Sequence, residues 1–224
     1  MHEIKCIIFD WDMCLFDTDT FRPHVVKTVM GVLDAFELPD GVREKADTWI
    51  KKDSPFMVVR ECALPPAVAR AMLDTYSRIE VPEGVRTYGD EHHVEQLPVE
   101  KILVTAGFPH VQHAKIARTG IGRMFTEIHV DALDYNGKHE GKESIFRRII
   151  ATRRLGPRQI MVVGDNPHTE LGAGQRLGMV TVQTLRPGVM RWDGAEHHVR
   201  SLGELPAIIS GLSAMSRRRM CAPI

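Results

Sequence analysis

Cysteine is scarce in this chain. The four present (Cys6, Cys14, Cys62 and Cys221) form no CxxC pair and no framework spacing, which excludes a zinc ribbon and a disulfide scaffold and points to a reducing compartment. No apolar run reaches the roughly 18 residues of a membrane span, so none is expected. The first residues lack the charged-then-apolar order of a signal peptide, and a cytoplasmic location is the expectation. Excess charge of one sign is also missing: 29 Lys and Arg balance 29 Asp and Glu. With no global field to draw in nucleic acid or an anionic membrane, neither is an expected partner, and any phosphate must be held by local geometry. No internal repeat or low-complexity segment occurs.

What is present is ordinary for a globular protein: 224 residues, 43% hydrophobic and 26% charged. That length suits one large domain or one domain with an insert. It can bury about 70% of its unfolded surface without staples.

Short β-branched runs punctuate the sequence: "IKCIIFD", "KILVTA", "EIHVDA", "QIMVVGD" and "MVTVQT". The first, second and fourth are nearly continuous apolar runs, the pattern of strands buried on both faces. Between the later runs lie helical patterns such as "PHVQHAKIARTGIGRMF" and "KESIFRRIIATRRLG", with stops at Gly120, Gly156 and Gly178. Strand alternating with helix predicts an α/β fold, a doubly wound, mostly parallel, Rossmann-like sheet. The gap from the first run to the second is too long for one crossover helix. Residues 18–82 read as helices throughout and predict an all-helical cap, inserted in a core of residues 1–17 and 83–212. "YGDEHHVEQL" reads as the helix leading into the second strand. Residues 213–224 show no periodicity and are expected to be a flexible tail.

The chemistry-bearing residues cluster at predicted strand ends, where doubly wound sheets bind ligands. Asp10 and Asp12 follow the first strand, Thr105 ends the second, and Asp165 ends "IMVVG". If the first strand is central, these meet in one crevice. Two carboxylates about 4 Å apart repel by roughly 4 kcal/mol at an effective dielectric of about 20. Asp10 with Asp165 therefore calls for a cation, and hard oxygen donors select Mg²⁺. In such a crowd Asp12 is expected to hold a proton and act as an acid.

The motifs resemble those of the haloacid dehalogenase superfamily. "FDWDMCLFDT" is similar to its first motif, "ILVTAG" to the second, Lys142 in "EGKESIF" to the third, and "MVVGDNPHTELGAGQRLGM" to the fourth. The likeness spans nearly the whole chain, and the insert resembles the cap of the phosphoglycolate phosphatase-like branch. The resemblance implies a Mg²⁺-dependent phosphatase acting on a small phosphorylated metabolite. Asp10 would be the nucleophile, Asp12 the acid and base with its backbone carbonyl toward the metal, and Thr105 a phosphoryl donor. Lys142, preferred to Lys138, would neutralise charge. Asp10, Asp12, Asp165 and Glu170 would form the metal site. Phe16 and Asp17, entering the cap, and Ala106 and Gly107, after Thr105, would touch substrate. Cys14 stands where Thr or Val is usual, Met13 where Gly is common, and Glu170 where Asp is commoner. True dehalogenases of this superfamily lack the second aspartate, because a halide leaves without a proton. A phosphomutase of the same architecture and a non-catalytic binding protein are the alternatives.

Other features carry less. "LGAGQRLG" has the wrong spacing for a dinucleotide loop, and its small residues predict close helix packing instead. His110 with His113, His92 with His93, and His197 with His198 lack a third ligand and read as solvated helix and loop residues. Cys14 reads as a small buried apolar group. Among the charges predicted on the cap, Arg22, Lys51, Lys52 and Arg60 are within possible reach of an anionic substrate.

Overall fold

A computed structural model describes residues 3–135 and 137–220. Six strands form one sheet: β1 (Cys6–Phe9), β2 (Glu100–Gly107), β3 (Glu127–Ala132), β4 (Ile160–Gly164), β5 (Val180–Thr184) and β6 (His197–Val199). Every pairing is parallel, in the order β3-β2-β1-β4-β5-β6. β1 lies between β2 and β4, so the strand order reverses at β1 and opens a crevice beyond its carboxyl end. Phe9 is in register with Leu103 on one side and Val163 on the other. The residues that follow these three points are thereby brought to one edge.

Between β1 and β2 the chain is helical: α1 (Arg22–Leu33), α2 (Val42–Ile50), α3 (Pro55–Cys62), α4 (Pro66–Ser77) and the short α5 (His92–Glu95). α1 to α4 form the inserted cap. The remaining helices are α6 (Pro109–Thr119), α7 (Lys142–Arg153), α8 (Glu170–Arg176) and α9 (Leu205–Met220).

Alternation along the strands feeds two apolar layers. Ile7, Phe9, Leu103, Met161 and Val163 pack with Val111 and Ile116 of α6 and Leu205 and Leu212 of α9. Cys6, Ile8, Ile102, Val104 and Val162 face Ile145, Phe146 and Ile149 of α7 and Ala173 of α8. Both faces are thus covered, as continuous apolar strands require. The first layer runs on through Trp11, Phe16 and Phe21 to Val29, Leu33, Ile50 and Met72 of the cap. Gly174 is where α8 meets the sheet: a Cβ there would lie 3.1 Å from Val162 and 3.2 Å from Thr181.

Several boundaries differ from expectation. The helix expected at "YGDEHHVEQL" is the four-residue α5, its turn closed by Asp90 and Glu91 carbonyls. α7 ends before Gly156, because Arg154 takes the left-handed conformation (φ 53°) and its N–H closes on Ala151. β6 escaped detection because it has only three residues, two of them His197 and His198. Those histidines are half-buried, not solvated, and a ring nitrogen of His198 lies 2.8 Å from the Trp192 carbonyl. The expected tail from residue 213 is helical as far as Met220. "SAMSRRRM" contains no breaker and several strong helix formers, so propensity extends α9 where periodicity is absent. Residues 221–224 lie outside the described residues.

Candidate active site

The site begins with the turn after β1. The Asp10 N–H donates to the Val163 carbonyl (2.9 Å), which continues the β1–β4 ladder one residue past the strand. The Leu15 and Phe16 N–H groups then fold back onto the Trp11 carbonyl (3.0 and 2.9 Å). Met13 occupies the left-handed region (φ 56°), which fits its standing where glycine is common. Trp11 and Phe16 stack beneath the turn with centroids 5.1 Å apart. Cys14 is buried, and burial pushes its thiol well above the usual range, consistent with an inert apolar filler. Arg186 pins the turn from below, donating to the Cys14 carbonyl (2.9 Å) while its other nitrogens bind both oxygens of Asp90 (2.9 and 2.8 Å).

Lys142 is the first residue of α7, following Gly141 at φ 91°. The buried Asp131, in β3, accepts from the Gly141 N–H (3.0 Å) and lies 2.6 Å from His139, ordering the loop that delivers the lysine. Lys142 Nζ reaches Asp10 Oδ1 (2.7 Å) and Glu170 Oε2 (2.8 Å). Glu170, first in α8, also accepts from the Asn166 N–H (2.7 Å) and the Thr169 hydroxyl (2.5 Å). Lys138 is not among the residues lining the cavity; its backbone N–H donates to the Asp134 carboxylate. Gly164 makes room for Glu170, since a Cβ there would stand 2.4 Å from Oε1. Gly164→Ala is expected to displace Glu170 and loosen Lys142. The cost should be about 1–3 kcal/mol, read as a lowered unfolding midpoint with m unchanged.

Carboxylate oxygens of Asp10, Asp165 and Glu170 lie within 4.8 Å of one another, the one such group of three among the described residues. Burial and the nearby Glu170 push the Asp10 and Asp165 carboxyls well above their ordinary range. Burial opposes charge on Lys142 too, but Asp10 and Glu170 outweigh it and raise its pKa. One ammonium thus sits among three carboxylates and bonds two of them, and no hydrogen bond to the Asp165 side chain is found among the described residues. This oxygen-only, charge-rich set fits a hard divalent cation.

Asp12 departs from expectation. Both of its oxygens face Lys115 Nζ (2.6 and 2.7 Å), with further donors from Gln112 Nε2 (2.9 Å) and the Thr18 hydroxyl (3.2 Å). Burial alone would raise its pKa, but Lys115 and these hydrogen bonds prevail and lower it. The expected protonated Asp12 is therefore replaced by a paired carboxylate. Its side chain is also directed to Lys115, outside the group of three that could hold a metal. Gln112 Nε2 lies within hydrogen-bonding distance of Thr105 Oγ1 (2.6 Å) and the Ala106 carbonyl (2.7 Å), tying the ends of β1 and β2 together.

Sequence reasoning missed Gln112 and Lys115. Their signal was available: both sit between Val111 and Ile116 on the buried stripe of α6, and a buried lysine requires a carboxylate partner.

A cavity of about 420 Å³ opens over these groups, lined by Asp10, Asp12, Thr105, Lys142 and Asp165, and by Ala106 and Gly107. Phe16 and Asp17, expected to touch substrate, do not line it. Phe16 is fully buried, stacked on Trp11 and below the Lys115 ammonium; Asp17 turns to Arg86 (3.5 Å). Their neighbours Met13 and Thr18 take those places. Arg22 and Lys52 line the cavity, whereas Lys51 and Arg60 pair with Asp47 and Glu61 outside it.

The fold, a parallel α/β sheet with a helical insert, is similar to that of haloacid dehalogenase-like proteins. Among similar solved structures are the haloacid dehalogenase-like hydrolase SP0104 of Streptococcus pneumoniae (14% identity, TM-score 0.70) and the magnesium-bound YfnB of Bacillus subtilis (14%, 0.65). The L-2-haloacid dehalogenase of Xanthobacter autotrophicus is also similar (18%, 0.55); each comparison covers 93% of this chain and 99% of the other. No protein-family model and no curated protein matches the chain. No helix among the described residues is long and apolar enough to cross a membrane.

Proposed function

We propose that this chain is a Mg²⁺-dependent phosphatase of the phosphoglycolate phosphatase-like branch, hydrolysing a small phosphorylated metabolite in the cytoplasm through an aspartyl-phosphate. The observation carrying this reading is the placement of Lys142 between Asp10 and Glu170, with Asp165 alongside and Thr105 at the adjacent strand end. Phosphoryl transfer demands positioning and cations around the transferring oxygens more than covalent chemistry.

In this reading Asp10 attacks phosphorus and the ester P–O bond breaks. The departing oxygen takes a proton that Asp12, a carboxylate at rest, has picked up from solvent, and the second step returns one to it. Water then attacks the phosphoaspartate, giving its proton to Asp12 and releasing inorganic phosphate and the free Asp10 carboxylate. Lys142 offsets charge on Asp10, and Thr105 donates to a phosphoryl oxygen. Asp10 and Asp165, supported by Glu170, would hold Mg²⁺, which supplies charge neutralisation to the phosphoryl group. The cap, residues 18–82 in this division, limits water access during the first step. Asp12 supports an oxygen leaving group over a halide, since only the former needs a proton.

A phosphate-release screen over a metabolite panel tests the proposal, with product analysis on phospho-sugars. Isomerised sugar phosphate in place of free phosphate would make it a mutase. Turnover of none, with or without Mg²⁺, would leave a binding protein. Lys115 is a positioning residue here: Lys115→Met is expected to lower kcat about 10²-fold with KM nearly unchanged, because Asp12 loses its aim. A rise in KM alone would assign Lys115 to substrate binding instead.

A further inference from the structure

The same cavity changes character away from Asp10. Phe21 and Val25 at the start of α1, Ile50 at the end of α2, Pro55 and Phe56 opening α3, and Tyr76 near the end of α4 all line it. Phe56 and Tyr76 are both backed by the buried Phe108, with centroids 5.0 and 5.9 Å away, so the aromatic wall is rigidly supported. The polar groups of this part are largely committed. Thr18 serves Asp12 and the Met13 N–H, Arg22 pairs with Asp19 (2.9 Å), and Asp53 caps the Ser54 N–H (2.6 Å). Away from Asp165, three groups lining the cavity make no side-chain hydrogen bond or ion pair among the described residues: the Ser54 and Tyr76 hydroxyls and the Lys52 ammonium. Burial, with Asp12 nearby, keeps the Tyr76 hydroxyl protonated and hence a donor.

We infer that the leaving group is a ring-bearing, largely apolar alcohol with an acidic substituent, its ring against Phe56 and Tyr76 and its acid on Lys52; the inference rests on the phosphatase reading above. A polyhydroxylated sugar would set most of its hydroxyls against Phe21, Val25, Ile50 and Pro55, with only the Ser54 and Tyr76 hydroxyls and Lys52 to meet them. A flat ring loses little there and gains aromatic contact. The acid is addressed by Lys52, the one unpaired cation in this wall among the described residues.

The test uses the Mg²⁺-loaded full chain and four alkyl phosphates: benzyl, 4-carboxybenzyl, glucose 6- and glycerol 3-phosphate. Benzyl phosphate is expected to exceed both polyol esters at least about tenfold in kcat/KM. The carboxybenzyl ester should exceed benzyl about fivefold, a ratio that falls to about one in Lys52→Met. Phe56→Ala should erode the benzyl preference mainly through KM. Glucose 6-phosphate turned over as well as benzyl phosphate overturns the inference while leaving the phosphatase standing. So does a carboxylate preference that survives Lys52→Met. Phosphate from none of the four removes the phosphatase reading, and the inference with it.

Discussion

Asp10→Asn is expected to lower phosphate release at least about 10⁴-fold, the scale of losing a covalent nucleophile from a site whose parts act as a unit. An amide cannot form the phosphoaspartate, and full activity in this variant would eliminate Asp10 as the attacking group. The variant should nevertheless fold. Asp10, Asp165 and Glu170 crowd three carboxylates around Lys142, and removing one relieves repulsion at a buried point. The amide oxygen can still accept from Lys142. In metal-free buffer Asp10→Asn should therefore melt no lower than the wild type, while activity disappears. Loss of both together would instead mean that Asp10 is needed for the fold.

The second large effect concerns the cation. Chelation should abolish turnover, and Mg²⁺ should restore it. Independently of activity, Mg²⁺ at about 100 times its Kd should stabilise the folded chain by about 2.7 kcal/mol. For a chain of this length that corresponds to an upward Tm shift of roughly 5–10 °C. Asp165→Asn should remove most of that shift, because Asp165 is the member of the cluster that Lys142 does not bind. A Tm indifferent to Mg²⁺ in the wild type would dismiss this cluster as a metal site. A shift retained in Asp165→Asn would relocate the metal.

Much of the architecture was legible because long apolar runs have few fates. "KCIIF", "KILVTA" and "IMVVG" cannot be satisfied on one face, so a sheet covered on both sides was the economical solution. Short or weakly patterned elements were not legible. The three residues of β6 include two histidines, and its pairing with β5 is a long-range event. α3 is eight residues with Pro55 at its head, and nothing separated it from its neighbours in the sequence.

The site divides in the same way. Asp10, Thr105, Lys142, Asp165 and Glu170 stand at strand ends or helix starts, positions whose chemistry is announced by the apolar segment beside them. Phe16 and Asp17 were placed by proximity along the chain, but the turn after β1 sends Phe16 under Trp11 and Asp17 toward Arg86. Chain proximity does not set the direction of a side chain in a tight turn.

What the sequence by itself determined is the parallel α/β scaffold and the set of acids that follow its strands, because hydrophobic periodicity and local spacing are properties of contiguous residues. Only the tertiary structure decided the electrostatic state of Asp12, the partners Gln112 and Lys115, and the apolar wall of Phe56 and Tyr76. Lys115 is 103 residues from Asp12 along the chain. Whether a half-buried carboxylate is protonated depends on which cation folding places within 3 Å of it, and no local pattern records that distance.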